Sequence, residues 1–488
     1  MTKYRTNTTP LLPDLHLATL RRTPRSSQQK RKQELEDLQT KSFDHLEAML
    51  QGFLPKDALA TPDSGPGSRE RVYTKRNTFF AFMQQSWSAD GSCQEAVHRI
   101  IEQAQDQGMK QIPSSSTSAY VQARKRLEIE ELRDLLYQGA GAMELTREKE
   151  HANERPWIAV DGTGLSMPDT PTNQAEWPQP TNQKKDLGFP VLKAVATFSL
   201  DSGAILDAEI GNLYDHEMSL LRKMYDGFSK GDILLGDRGF CGWQNMVELK
   251  ELGVDSVMRL HAMRKIVTPK QAETRLGSGD LLIKQRRPFW QAKTGISKGE
   301  WNTFPEELML RQITFKVEVP GCRTQVVHLV TTLLDPEEYP KEKLMEMYLR
   351  RWRIEVVFKD IKCSMGWELL RCKSPEMVRR EFLMMLIGYN AIRFLQQKAS
   401  ISRDVPLERI SFKSALQIVR IWEKRFRNPT EPLAWLRERV MCQIAGVQVP
   451  ERPDRAEPRA RKRRFKKTRL MTEPRAKLRA KLLKNQAA

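Results

Sequence analysis

Between residues 43 and 143 apolar positions recur every three or four places, the spacing that lays one stripe along an α-helix. The stretches 78–87, 94–104, 117–127 and 129–137 carry this period, and it breaks at Asp90-Gly91, Gly108 and Ile112-Pro113, where turn residues intervene. From Trp157 the texture changes to short apolar runs alternating with helix-period segments, the mark of an α/β fold. Strands are predicted at 157–162, 191–200, 204–210, 233–237 and 256–260, the second and third joined through Asp201-Ser202-Gly203, with helices at 216–228 and 243–252. Between 264 and 323 the pattern is irregular and strand-rich (281–283, 313–319), and the α/β texture resumes at 326–333, so this stretch reads as an insertion. A long helix over 341–363 follows, then an apolar one over 377–397 whose hydrophobic face is wide enough for a core position.

The predicted organisation is a basic flexible arm (1–42), a helical domain (43–145), an α/β domain (150–400) interrupted at about 264–323, a helical region (401–448) and a basic tail (449–488). Lys and Arg total 81 against 61 Asp and Glu, a formal charge of +20, which points to a polyanionic partner, nucleic acid before acidic membrane. The tail concentrates the surplus: 451–488 holds fifteen Lys or Arg and four acids, with runs at 461–464 and 466–467. So dense an end meets phosphate or is a solvated terminus. Ser114 to Ser118 supply caps for a helix bearing Arg124, Lys125 and Arg126, an order that suits either a helix-turn-helix DNA reader or a capped helix with a solvated basic face. No apolar run is long enough to span a bilayer and no leader is evident, so a soluble, cytosolic protein is expected. The six cysteines (Cys93, Cys241, Cys322, Cys363, Cys372, Cys442) form no C-x-x-C pair, so any metal is expected on oxygen ligands.

Asp161 ends the run Ile158-Ala159-Val160, and Asp237 ends Ile233-Leu234-Leu235-Gly236. At strand ends of an open α/β sheet a carboxylate projects into a crevice, and two on neighbouring strands can share a metal. Either alone also reads as an ordinary Asp-Gly or Asp-Arg-Gly turn. At about 100° per residue, Tyr348, Arg351, Glu355 and Lys362 fall within roughly 60° of one helix face, while Ile354, Val357 and Ile361 point the other way. One face is predicted packed and the other chemically loaded. His216, between Asp215 and Glu217, reads as a helix-start residue rather than a base.

These motifs resemble those of the insertion-sequence transposases with the Tyr-Arg-Glu-Lys signature, Y-x2-R-x3-E-x6-K, family four of the bacterial insertion sequences. Tyr348, Arg351, Glu355 and Lys362 match at every place, preceded by Val160-Asp161-Gly162-Thr163 and Gly236-Asp237-Arg238-Gly239-Phe240. The resemblance runs from about 43 to 397 and includes Ser115-Thr117 through Ala123-Arg124 and Gly188-Phe189-Pro190. It implies a ribonuclease-H-like catalytic core with a β-rich insertion, preceded by a helical DNA-binding domain. In that core Asp161, Asp237 and Glu355 hold two Mg²⁺ or Mn²⁺ ions for DNA cleavage and strand transfer. Tyr348, Arg351 and Lys362 are implied to hold phosphates at the transposon end, and a homodimer on paired ends is expected. Where the family can stack a flipped base on an aromatic residue, this chain has His328, which reads equally as a tolerated strand histidine; Trp290 and Trp301 are other candidates. A ribonuclease-H-like nuclease without strand transfer, or an inactive DNA-binding relative, are the competing readings.

Overall fold

A computed structural model of the chain describes residues 43–55, 58–59, 72–106, 108–109, 112–150, 154–261, 263–291, 295–317, 325–450 and 470–486. The predicted arm, the basic runs at 461–467 and Cys322 lie outside these residues. The described chain opens on helices α1 (Asp44–Met49), α2 (Lys75–Trp87), α3 (Cys93–Asp106), α4 (Ser118–Lys125) and α5 (Ile129–Glu150). Helix α2 begins where the Thr74 hydroxyl accepts from the Asn77 amide at 3.1 Å, an N-cap that satisfies one orphan donor. It is buried on all sides from Asn77 to Trp87, with Phe79, Phe80, Phe82, Met83 and Trp87 covered.

Strands β1 (Trp157–Ser166), β2 (Val191–Ser199), β3 (Ile205–Asn212), β4 (Ile233–Gly236), β5 (Asp255–Arg259), β6 (Thr274–Gly277), β7 (Asp280–Arg286), β8 (Glu307–Val317) and β9 (Gln325–Thr331) join in one sheet, in the order β3-β2-β1-β4-β5-β9-β8-β7-β6. Helices α6 (Pro171–Glu176), α7 (Glu217–Arg222), α8 (Trp243–Glu251) and α9 (Lys298–Thr303) fall between them. Strands β1 to β3 form an antiparallel meander, and β4 lies parallel to β1 and to β5. The stretch read as an insertion contains β6, β7 and β8, which extend the sheet beyond β9. The predicted helix at 216–228 is shorter, ending at Arg222 with a single 3₁₀ turn at Tyr225–Gly227.

Because successive strand side chains alternate faces, the sheet separates two apolar layers. Ala159, Leu235, Val257 and Leu329 belong to one core cluster; Val160, Leu234, Met258 and Val330 belong to the other, with Leu220, Trp243 and Trp301. Each fully covered Leu, Ile or Val contributes roughly 1.5–3 kcal/mol.

The chain closes with α10 (Lys341–Arg350), α11 (Arg353–Lys359), a π turn at Asp360–Ser364, and α12 (Pro375–Arg403), α13 (Phe412–Arg427), α14 (Leu433–Gly446) and α15 (Arg475–Gln486). Helix α12 is the expected core helix, and it ties three parts of the fold together. Asn390 exchanges two 2.9 Å hydrogen bonds with the Ile205 backbone on β3. The Trp87 indole donates to the Gly388 carbonyl at 2.9 Å, and Gln397 donates to the Met143 carbonyl at 3.0 Å. The N-terminal helices and one face of the sheet therefore share a single hydrophobic cluster. Among the described residues no helix is long and apolar enough to cross a membrane.

Candidate active site

Strand β1 pairs with β2 from Ile158 to Ser166, but with β4 only where Trp157–Ala159 face Ile233–Leu235. The strand therefore continues past Gly162, where the sequence pattern ends it, and beyond Ala159 its β4 side leaves an opening that a bridge between Ser166 and Leu369 closes. This opening is the crevice. Asp161 and Asp237 each stand two residues past the last register pair, Ala159 and Leu235, in phase with one another along neighbouring strands.

The Asp161 carboxylate accepts from the Gly162 amide at 2.8 Å, and that of Asp237 from the Gly239 amide at 2.7 Å. Burial pushes the Asp161 carboxyl up to about 6, with the negative charges of Asp237 and Glu217 adding to the rise; the Gly162 amide and Arg351 oppose it. The Arg351 guanidinium supplies that opposing charge, with Nη1 3.5 Å from Asp161 Oδ2.

The signature segment is not the continuous helix expected from its spacing. Helix α10 ends at Arg350, and the amides of Trp352, Ile354 and Glu355 each bond three residues back, to Leu349, Arg351 and Trp352, at 3.0–3.2 Å. Such i−3 bonds tighten the turn, and the π turn at Asp360–Ser364 loosens it again. The phase therefore slips twice, and the expected common face is split. Tyr348 (2% exposed) and Arg351 (5% exposed) are buried toward the sheet; Glu355 is exposed and Lys362 is partly buried. Ile354 and Ile361 are packed, as expected. The Arg351 guanidinium lies 5.4 Å from the Tyr348 ring centroid, and the Tyr348 hydroxyl and Arg351 Nε and Nη1 have no hydrogen-bond partner. Burial raises the Tyr348 hydroxyl above its ordinary range, opposed by Arg351 and Arg259 and reinforced by Asp237, so the ring lies within the field of both strand-end groups. Burial depresses the Lys362 amine, against the pull of Glu368 and Cys363. Lys362 shares the lining of a narrow cleft with Thr163 of β1.

Arg124 is a correction. It is buried, donates to Gln85 at 3.3 Å, Cys93 at 3.2 Å and Cys372 at 2.9 Å, and lies 4.0 Å from the Phe82 ring centroid, so it cannot reach DNA. Its partners are far away in sequence, and helix phase alone could not reveal them. Lys125 and Arg126 are exposed. His328 is partly covered on β9, bonded to Thr314 at 2.9 Å, and lies in phase with Val330 of the opposite layer from Leu329. Burial and Arg259 depress its ring pKa. Trp301 is buried against Trp243, and the Trp290 indole donates to the Ile296 carbonyl at 3.1 Å. His216 stands exposed at the start of α7. Two residues beside the crevice were passed over in the sequence. Glu217 was read only as part of a helix start, and Arg259, at the end of β5, was not singled out although it follows the strand-end pattern of the two aspartates.

The family model described as the transposase DDE domain matches residues 152–391, which hold the strands and the signature segment described above. Transposase InsG for insertion sequence element IS4 of Escherichia coli (strain K12) is 26% identical over 306 residues, 62% of this chain, and the match spans 65% of that protein's length. The cryo-EM structure of a piggyBac transposase synaptic complex with hairpin DNA is similar at a TM-score of 0.40, with 10% identity and 87% of each chain covered, too distant to carry an argument. Residues 152–391 thus match the transposase DDE domain, and over 62% of its length the chain is similar to a transposase of an IS4 element.

Proposed function

We propose that the chain is a transposase that binds the ends of its insertion sequence and catalyses metal-dependent DNA cleavage and strand transfer. One observation carries this reading: Arg351 of the signature reaches Asp161, 190 positions earlier in the chain, at 3.5 Å. The order β3-β2-β1-β4-β5, antiparallel then parallel, supports a ribonuclease-H-like core extended by the β-rich insertion.

The donor chemistry of the crevice fits hard divalent ions, Mg²⁺ or Mn²⁺, because Asp161 and Asp237 offer oxygens and their mutual charge is only partly offset by Arg351. Among the described residues no three ligating side chains close on one point. We assign Glu355, exposed just past Arg351, as the third carboxylate. Two bound ions would supply activation of the attacking water or 3′-hydroxyl and stabilisation of the leaving oxygen.

The remaining work falls to the chain's own groups. Beside its ion pair with Asp161, Arg351 carries buried N–H groups, and Tyr348 a buried hydroxyl, that make no hydrogen bond. A phosphate oxygen in the crevice would satisfy and orient them, recovering the cost of about 1–3 kcal/mol for each buried unpaired group. Lys362 adds a point charge for a neighbouring phosphate. We further propose that residues 43–145 contribute Lys125 and Arg126 to DNA binding, that the basic tail grips phosphates without sequence preference, and that a homodimer acts on paired ends in the bacterial cytosol.

The test is the product formed with Mg²⁺ from DNA carrying the element's two ends and a target plasmid. Joined ends support a transposase; cut but unjoined ends would make the chain a nuclease, and binding without cutting an inactive relative.

A further inference from the structure

We propose that Glu217 is a further carboxylate of this site and that it joins Asp161 and Asp237 in holding a divalent cation before DNA arrives. This inference rests on the metal-dependent reading above. Glu217 opens α7, and its carboxylate spans the gap between Gly162, next to Asp161 on β1, and Gly239, in the turn that carries Asp237. A Cβ on Gly162 would stand 2.6 Å from Glu217 Oε1, and one on Gly239 would stand 3.0 Å from Oε2. Neither glycine has a positive φ, so what each provides is room for this carboxylate rather than an unusual backbone.

Among the described residues Glu217 has no hydrogen bond and no ion pair, although it is half-buried. A carboxylate in that position costs free energy unless a cation or donor meets it. The charges that face it are the acids Asp237 and Asp161 and the amine of Lys193 on β2. That amine donates to the Asp215 carbonyl at 2.7 Å.

A second feature of the crevice points to a missing ligand independently. The Tyr348 hydroxyl and Arg351 Nη1, on residues 98% and 95% buried, are also without hydrogen-bond partners on the signature side. The crevice thus has donors without hydrogen-bond partners on one wall and, on the other, the unpartnered carboxylate of Glu217 beside Asp161 and Asp237, an arrangement that suits a metal ion bound beside a phosphate.

The experiment is a Mn²⁺ titration of the full chain without DNA, following the loss of the free-ion signal by electron paramagnetic resonance. It compares the parent with Glu217→Gln, Gly162→Ala and Asp161→Asn, each checked for an unchanged circular dichroism spectrum. Glu217→Gln is expected to weaken binding by about tenfold or more, at least what an outer-shell partner contributes. Gly162→Ala keeps every carboxylate but forces Glu217 aside, and is expected to weaken binding too. If Glu217→Gln binds within about twofold of the parent while Asp161→Asn loses the ion, the inference about Glu217 is overturned and the site reading stands. If Asp161→Asn also binds like the parent, the metal reading of the crevice fails with it. A parent that takes up no Mn²⁺ without DNA overturns the proposal as stated.

Discussion

Arg351 Nη1 lies 3.5 Å from Asp161 Oδ2, so the central cation of the signature is turned inward onto the first acid rather than outward on a solvated face. It is a counter-ion for Asp161 and, through buried N–H groups that make no hydrogen bond, a candidate donor to phosphate. The two roles compete for one guanidinium, and that competition has measurable consequences.

Arg351→Met keeps most of the side-chain volume and removes the charge. Above pH 7 it should tighten Mn²⁺ binding, because a competing cation is gone; near pH 6 it should weaken it, because Asp161 then holds its proton more firmly. End joining should be lost, and Arg351→Lys should restore it only in part, since lysine lacks the planar fork. Mn²⁺ binding between pH 5.5 and 8 with joining assays checks this, and pH profiles that superimpose on the parent would separate Arg351 from Asp161.

Asp161 itself should limit stability when no metal is bound. Its carboxyl is raised from 3.8 to about 6, so folding favours the protonated form. Stability from this group is full below pH 4 and is lost as pH rises through 6. Asp161→Asn, in EDTA, should therefore unfold at higher temperature than the parent at pH 7.5, by at most on the order of 3 kcal/mol, with the gap closing toward pH 4. Equal thermal transitions at both pH values would contradict the raised carboxyl.

The exposed cation of α4, Lys125, and its buried one, Arg124, should separate cleanly. Lys125→Ala should weaken DNA binding and leave thermal stability nearly unchanged. Arg124→Ala should cost roughly 1–3 kcal/mol of stability, because Gln85 and two thiols lose their donor. Denaturation and filter binding on the same preparations distinguish the two effects.

Removing the residues after 449 should weaken binding to all DNA and flatten its salt dependence, the slope falling by roughly 0.9 for each phosphate that the tail no longer neutralises. An unchanged slope would give the tail another role.

The chemistry was more legible in the sequence than its geometry. Residue spacing marked Asp161, Asp237 and the signature, because apolar runs ending in acids and a three-four-seven interval survive in the order of letters. Spacing did not show that α10 stops at Arg350, since i−3 and i−4 hydrogen bonds leave similar apolar patterns over so short a span. Nor did it show that β1 outruns β4, which depends on pairing between strands about seventy residues apart. Glu217 escaped notice because its neighbours, Gly162 and Gly239, are brought to it only by the fold. Arg124 was misread for the same reason, its cover coming from Cys372, 248 positions away.

Asp161, Asp237 and Glu355 are proposed to act as one metal-dependent site that cuts and joins the element's ends. The most direct measurement of this is end joining in Mg²⁺ by Asp161→Ala, Asp237→Ala and Glu355→Ala, with end binding followed in parallel. Each variant is expected to bind the ends yet yield no cut or joined product, while EDTA silences the parent and Mn²⁺ restores it. Joining that survives the loss of any one carboxylate, or that proceeds undiminished in EDTA, would contradict a shared metal site.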